Sequence, residues 1–232
     1  MPFTRFPILL RIIALALGLL LGFEVFFAFR IWQLRGSNPE SSAFMAARLV
    51  ELQESRPQAE LKFRWIGYGA ISPALKRAVV AAEDSQFKRH GGFDWEGIQR
   101  ALEKNLEQGE FVAGGSTISQ QLAKNLFLSG ERTLVRKGQE AALTLMLEAI
   151  LDKRRILEIY LNVIEWGDGV FGAEAAARHY FGVSAAKLDV RQATLLAAIV
   201  PRPRFYDRIG WTPNIHQRAL TLRKHLRYVR LP

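Results

Sequence analysis

An 18-residue run from Ile12 to Phe29, broken by one charge at Glu24, limits what this chain can fold into more than any other stretch. In hydrocarbon every backbone N–H and C=O must be paired within the segment, so such a run reads as one α-helix just long enough to span a bilayer. Arg5 and Arg11 flank it before, Arg30 and Arg35 after. A cleaved signal peptide is the rival, because the uninterrupted apolar part, Ile12 to Phe23, is only 12 residues. No A-x-A site follows, which favours an uncleaved anchor. The arginines are too evenly split for the positive-inside rule to orient it. Gly18 and Gly22 make a G-x-x-x-G that a Leu-rich segment generates by chance. The polar, turn-forming stretch Gly36 to Ser42 then separates anchor from domain. The expected division is a short N-terminal segment 1–11, an anchor and flank 12–35, a linker 36–43 and one domain 44–232.

The 232 residues and 49% hydrophobic content allow a sizeable core. A formal charge of +10 requires an anionic partner to be considered: nucleic acid, a membrane surface or a phosphate-bearing substrate. The absence of cysteine excludes a disulfide framework, a thiolate metal site and a thiol nucleophile. No nucleic-acid recognition motif or aromatic-basic RNA signature is present, so nucleic acid is not expected.

Chemistry is expected where an apolar helix meets a glycine turn. Ser72-Pro73 reads as N-cap and first helical residue, Leu75, Ala78, Val79 and Ala82 follow at helical spacing, and Gly91-Gly92 is expected to end the element. Glu83 and Asp84 fall near its C-terminal end, where desolvation and the negative end of the helix dipole both raise a carboxyl pKa. That suits a general base or acid; taken alone, the dipeptide reads as a solvated pair with Asp84 capping a turn. Around this helix, an amphipathic helix is expected over about Phe44 to Leu52, a loosely strand-like aromatic approach over Phe63 to Ile71, a helix over Asp94 to Leu106 and a turn over Gly109 to Ala113. Gly114-Gly115-Ser116-Thr117 opens another helix, whose free N–H groups favour anions. Asp152-Lys153 caps a further one, and Leu188 to Val200 is the last buried helix expected. Apolar helices broken by glycine turns, with little strand alternation, predict a mainly α domain.

Longer strings sharpen this. Glu83 to Gly91 spells E-D-x-x-F-x-x-H-x-G, Gly114 to Asn125 spells G-G-S-T-I-x-Q-Q-L-x-K-N, and Arg136 to Glu148 spells R-K-x-x-E-x-x-L-x-x-x-L-E. Ile156 to Gly182 and Leu188 to Pro203 complete an ordered set of five, which resembles the peptidoglycan glycosyltransferase family, closest in pattern to its monofunctional transglycosylases. The resemblance covers about residues 60–205. It implies a lysozyme-like helical domain with a small membrane-proximal lobe behind the transmembrane helix. It also implies the reaction: lipid II, a disaccharide-pentapeptide on undecaprenyl pyrophosphate, is polymerised into linear glycan as a GlcNAc 4-hydroxyl attacks the lipid-linked end of the growing chain.

By the same resemblance Glu83 is the general base and Glu140 the second functional carboxylate. Lys124, Arg132 and Lys137, with Arg136 behind them, meet the pyrophosphate. Asp84, Phe87, His90, Ser116, Thr117, Gln120, Gln121 and Asn125 are carried over as substrate contacts. The resemblance fixes no cofactor and leaves a divalent-ion requirement open; Glu140 could hold a divalent cation, Mg or Mn, or orient the basic groups. Partners implied are lipid II, the nascent strand, membrane lipid and other cell-wall synthesis or division proteins. The implied location is the bacterial inner membrane, single-pass, with the catalytic domain in the periplasm. Gln139, Gln192 and Arg202 depart from the family pattern. Ser184 to Lys187 is an isolated S-x-x-K without the later motifs of a penicillin-binding serine site. A lysozyme-like hydrolase and a non-catalytic cell-wall scaffold are the alternatives.

Overall fold

The structure is a computed structural model that describes residues 5–109, 114–131 and 133–232. Its first helix, α1 (Arg5–Gln33), includes an apolar stretch from Ile8 to Gln33 with mean hydropathy 2.5, none of whose most apolar window is buried against protein. Glu24 does not interrupt it, because helical backbone bonding is indifferent to one charged side chain. Toward its end one face turns inward. Glu24, Phe27 and Ala28 are half-buried, and Ile31 and Leu34 are buried, at helical spacing against the domain.

The domain follows as α2 (Ala43–Ser55), β1 (Lys62–Phe63), α3 (Pro73–Glu83), α4 (Trp95–Gln108), α5 (Ile118–Phe127), α6 (Leu134–Ile150) and α7 (Lys153–Val163). It continues with β2 (Glu165–Gly167), β3 (Val170–Phe171), α8 (Ala173–Phe181), α9 (Val190–Ile199), α10 (Pro203–Ile209) and α11 (Pro213–His225). The mainly α expectation holds. Local chemistry starts the helices: Ser72, Asp94, Thr117, Thr133 and Asp152 each accept a hydrogen bond from a first-turn backbone N–H. Gln192 closes a capping box with Asp189, so this departure from the family still performs a helix-start role.

The core is organised around α7, whose Ile156, Leu157, Ile159, Tyr160, Leu161 and Val163 are all fully buried. α5 packs on α6 and α7, α3 packs on α9, and α11 covers α9. Each buried aliphatic side chain contributes about 1.5–3 kcal/mol. A three-stranded sheet in the order β1-β3-β2 closes one side, with Phe63 opposite Phe171 in parallel and Glu165 opposite Phe171 in antiparallel pairing. Gly172, at φ 84°, turns from β3 into α8, where a Cβ would stand 2.8 Å from the Asn162 carbonyl oxygen. Only glycine lets α8 approach α7 this closely.

Three expectations are corrected. α3 ends at Glu83, not at Gly91-Gly92: Asp84 leaves the helix at φ −162°, and turns occupy residues 85–92. Most of the 63–71 segment is not strand; its aromatics pack on the core. The helix over 190–199 is not the last, since α11 buries Ile215, Ala219 and Leu222 and leaves its arginines outside. Arg132 and most of the turn at 109–113 lie outside the described residues.

Candidate active site

The C-terminal end of α3 places Glu83 in a cleft of about 790 Å³, together with Ser116, Gln121, Lys124 and Asn125 from the α5 region, Tyr160 of α7 and Phe44 of α2. The 200–208 segment forms another wall. Thus the first and second motifs meet around one carboxylate, and the fifth faces them.

Glu83 is held on one side only. Gln121 Nε2 donates to its Oε2 at 2.9 Å, while Tyr160 donates to Gln121 Oε1 at 2.7 Å. Burial raises the Tyr160 hydroxyl pKa, with the Glu83 and Asp84 charges adding to it, so this hydroxyl stays a donor and fixes the amide's orientation. Glu83 Oε1 is closed off from water and has no hydrogen-bond partner among the described residues. Burial dominates the balance and raises the Glu83 pKa. The Gln121 hydrogen bond and the Arg218 charge oppose it, the Asp84 charge reinforces it, and the Lys124 charge opposes it. A carboxylate with an orphan oxygen and raised basicity is suited to taking a proton.

The remaining first-motif residues build this corner. Asp84 is buried; its carboxylate accepts from Ile118 N–H at 3.0 Å and pairs with His90 Nε2 at 2.9 Å. His90 Nδ1 accepts from Gly92 N–H, which makes Nε2 the donor to Asp84. Thr117 Oγ1 donates to the Gly92 carbonyl at 2.7 Å, and Thr117 and Gln120 form a capping box. The anion at the start of α5 is therefore the protein's own Asp84 rather than a ligand. Thr117 and Gln120 are buried in this joint, and Phe87 is a core side chain beneath Lys153, 4.5 Å from the ring centre. None of these three, nor His90, lines the cleft. Ser116, Gln121 and Asn125 do. Lys124 does as well, with its ammonium 5.4 Å from the centre of the Phe44 ring.

The third-motif residues form a separate group that does not line this cleft. Glu140 is buried on α6, with Arg136 at 2.7 Å from one oxygen and Lys137 on the other. Both oxygens are thus occupied by cations, and no cluster of three metal-ligating side chains occurs among the described residues. The surroundings of Glu140 do not fit a divalent ion; they fit the orientation of two basic groups.

Sequence reading missed Tyr160 as a site residue, Phe44, Glu165, the arginines of 202–208, and Arg218, whose charge reaches Glu83 from α11. Only Tyr160 carried a signal, at helical spacing on the buried face of its motif.

The transglycosylase family profile matches residues 50–227. The chain is 54% identical over 224 residues to the biosynthetic peptidoglycan transglycosylase of Laribacter hongkongensis, covering 97% of this chain and 98% of that protein. It is 52% identical over 225 residues to that of Chromobacterium violaceum, covering 97% and 99%. It is 62% identical over 182 residues to that of Nitrosospira multiformis, covering 78% and 79%.

Proposed function

The chain belongs to the transglycosylase family and is a peptidoglycan glycosyltransferase that polymerises glycan strands, and we propose that Glu83 is its general base. The substrates are lipid II and the nascent strand. A sugar hydroxyl does not ionise at neutral pH, so its proton must be accepted as it attacks. In this reading the Glu83 carboxylate takes the proton from the GlcNAc 4-hydroxyl of incoming lipid II. The new bond forms at the anomeric carbon of the growing chain, and the bond to the undecaprenyl pyrophosphate breaks. Lys124 stabilises the charge that develops on the leaving pyrophosphate, a role that the family pattern also gives to Arg132. Arg136 and Lys137, held by Glu140 on α6 outside this cleft, are pyrophosphate contacts by the family pattern alone.

The α1 helix is apolar and long enough for a single-pass anchor. We assign it to the bacterial inner membrane with the domain in the periplasm, where the lipid-linked substrate is consumed. Leu134 and Val135, 91% and 85% exposed at the start of α6, then lie toward the lipid beside the docked part of α1. Cell-wall synthesis or division proteins are the expected protein partners.

The observation that carries the assignment is a carboxylate that lines the cleft, held by a single hydrogen bond from Gln121 and raised in pKa by burial. Glu83→Gln should lower lipid II polymerisation by about 10²–10⁴ while binding of an uncleavable lipid II analogue persists. Near-normal polymer from this variant would move the base elsewhere.

A further inference from the structure

We propose that Arg202 and Arg208 form an anion subsite on the α10 wall of the cleft, which binds a charged group of lipid II apart from the Lys124 side. This rests on the lipid II reading above.

The argument begins with which arginines are already committed. Arg204 is paired with Glu51 and Glu165, each at 3.2 Å. Asp168 is engaged by Arg48 and Arg56, and Asp207 by His179. The carboxylates around this wall are thereby taken. Arg202 and Arg208 also line the cleft, and neither has an ion-pair partner among the described residues. The Arg202 guanidinium lies 4.6 Å from the centre of the Phe205 ring, which holds it while its N–H edges remain available. Arg208 also borders an adjoining recess of about 330 Å³, whose carboxylates Glu51 and Asp168 are already paired with Arg48, Arg56 and Arg204, so the recess leaves Arg208 without an anion.

Each guanidinium fits a group presenting two anionic oxygens in one plane. Lipid II offers two sources on its MurNAc: the stem-peptide carboxylates and the pyrophosphate. Arg202 stands where the resembled family commonly has asparagine, so its charge adds to the family pattern.

The test is steady-state polymerisation by full-length Arg202→Asn, Arg208→Ala and the double variant, using lipid II and a counterpart without the peptide. In the double variant kcat/KM for lipid II should fall about tenfold to a hundredfold, the range for lost charge-assisted contacts. For a peptide carboxylate the fall should lie in KM, because that contact is made equally before and during reaction; for the leaving pyrophosphate, whose charge develops, it should extend to kcat. Arg208→Lys should recover part of it. A fall confined to the peptide-bearing substrate identifies the peptide carboxylate; an equal fall with both identifies the pyrophosphate. Unchanged kcat/KM with both substrates, or a fall confined to the peptide-bearing substrate and lying wholly in kcat, would overturn the subsite. Failure of the wild-type protein to polymerise lipid II would instead sink the reading beneath it.

Discussion

Gln139 Nε2 donates a hydrogen bond to Glu24 at 3.2 Å, tying the one charged residue of the apolar run to the helix that carries Arg136, Lys137 and Glu140. Gln139 stands where some relatives have lysine, and here its neutral amide meets the anchor. A polar group beside lipid is costly unless paired. The bond therefore favours one rotation of α1, in which Phe27 packs edge-on to Phe127 at 5.5 Å. Because the chain has no cysteine, a Phe27→Cys, Phe127→Cys pair can report this docking without background. Gln139→Leu should lower the disulfide yield in membranes by about threefold to tenfold, the range of hydrogen bonds between membrane helices. Adding Glu24→Leu should restore it. An equal yield in all three would show that apolar contact alone docks the anchor.

Tyr160 acts on Glu83 through Gln121. Tyr160→Phe removes the donor at Gln121 Oε1 and releases the amide that holds Glu83 Oε2. The expected loss is about tenfold in kcat, one neutral hydrogen bond, with the helical circular dichroism intact. Gln121→Ala in the same background should add little further, since the two residues form one chain of bonds. Additive losses would show that they act separately.

Asp84 joins the first two motifs. Its carboxylate is spent on Ile118 N–H and His90, so Asp84→Ala strands a buried donor on each. The expected cost is about 2–3 kcal/mol, or roughly 5–10 °C in Tm for a domain of this size. Turnover at low temperature, where the variant remains folded, should stay well above that of Glu83→Gln. A variant with unchanged Tm but no turnover would make Asp84 a chemical participant.

Much of this arrangement could be read from the chain because its causes are local. The apolar run and its helix, the caps at Ser72, Asp94 and Asp152, and the buried faces of α3 and α9 follow from spacing within one or two turns. The end of α3 could not be read: Asp84 is drawn out of the helix by an N–H 34 positions away, while Gly91-Gly92 offered a stronger local stop. The three strands span two or three residues each, too short to show alternation. Among the site residues, Glu83, Ser116, Gln121, Lys124 and Asn125 meet in one cleft, whereas Phe87, His90, Thr117 and Gln120 support it from behind. Motif strings do not separate these roles, because burial depends on packing across the domain. The arginines of α10 and α11 carried no signal beyond charge, which on a helix usually marks a solvated face.

The raised pKa of Glu83 makes its ionised form a cost to the fold as well as a resource for turnover. Burial is the first cause, and the folded chain therefore holds the proton more tightly than the unfolded one. The sign follows from that difference. The favourable contribution is present in full below the ordinary glutamate value and is lost as pH rises through the raised folded value. Once pH has risen through the raised folded value, the wild-type protein bears the cost of an ionised carboxylate held by one hydrogen bond, and Glu83→Gln removes it. In one detergent, the Glu83→Gln variant should melt above wild type at pH about 8, with the gap closing as pH falls toward about 4. Each kcal/mol relieved should appear as about 2–4 °C. The same ionisation governs the chemistry in the opposite sense, since a base must be deprotonated: wild-type kcat/KM should fall on acidification with a limb above about 4.3, the ordinary glutamate value. An acid limb at or below that value, together with no gain in Tm for Glu83→Gln, would remove Glu83 from the role of base.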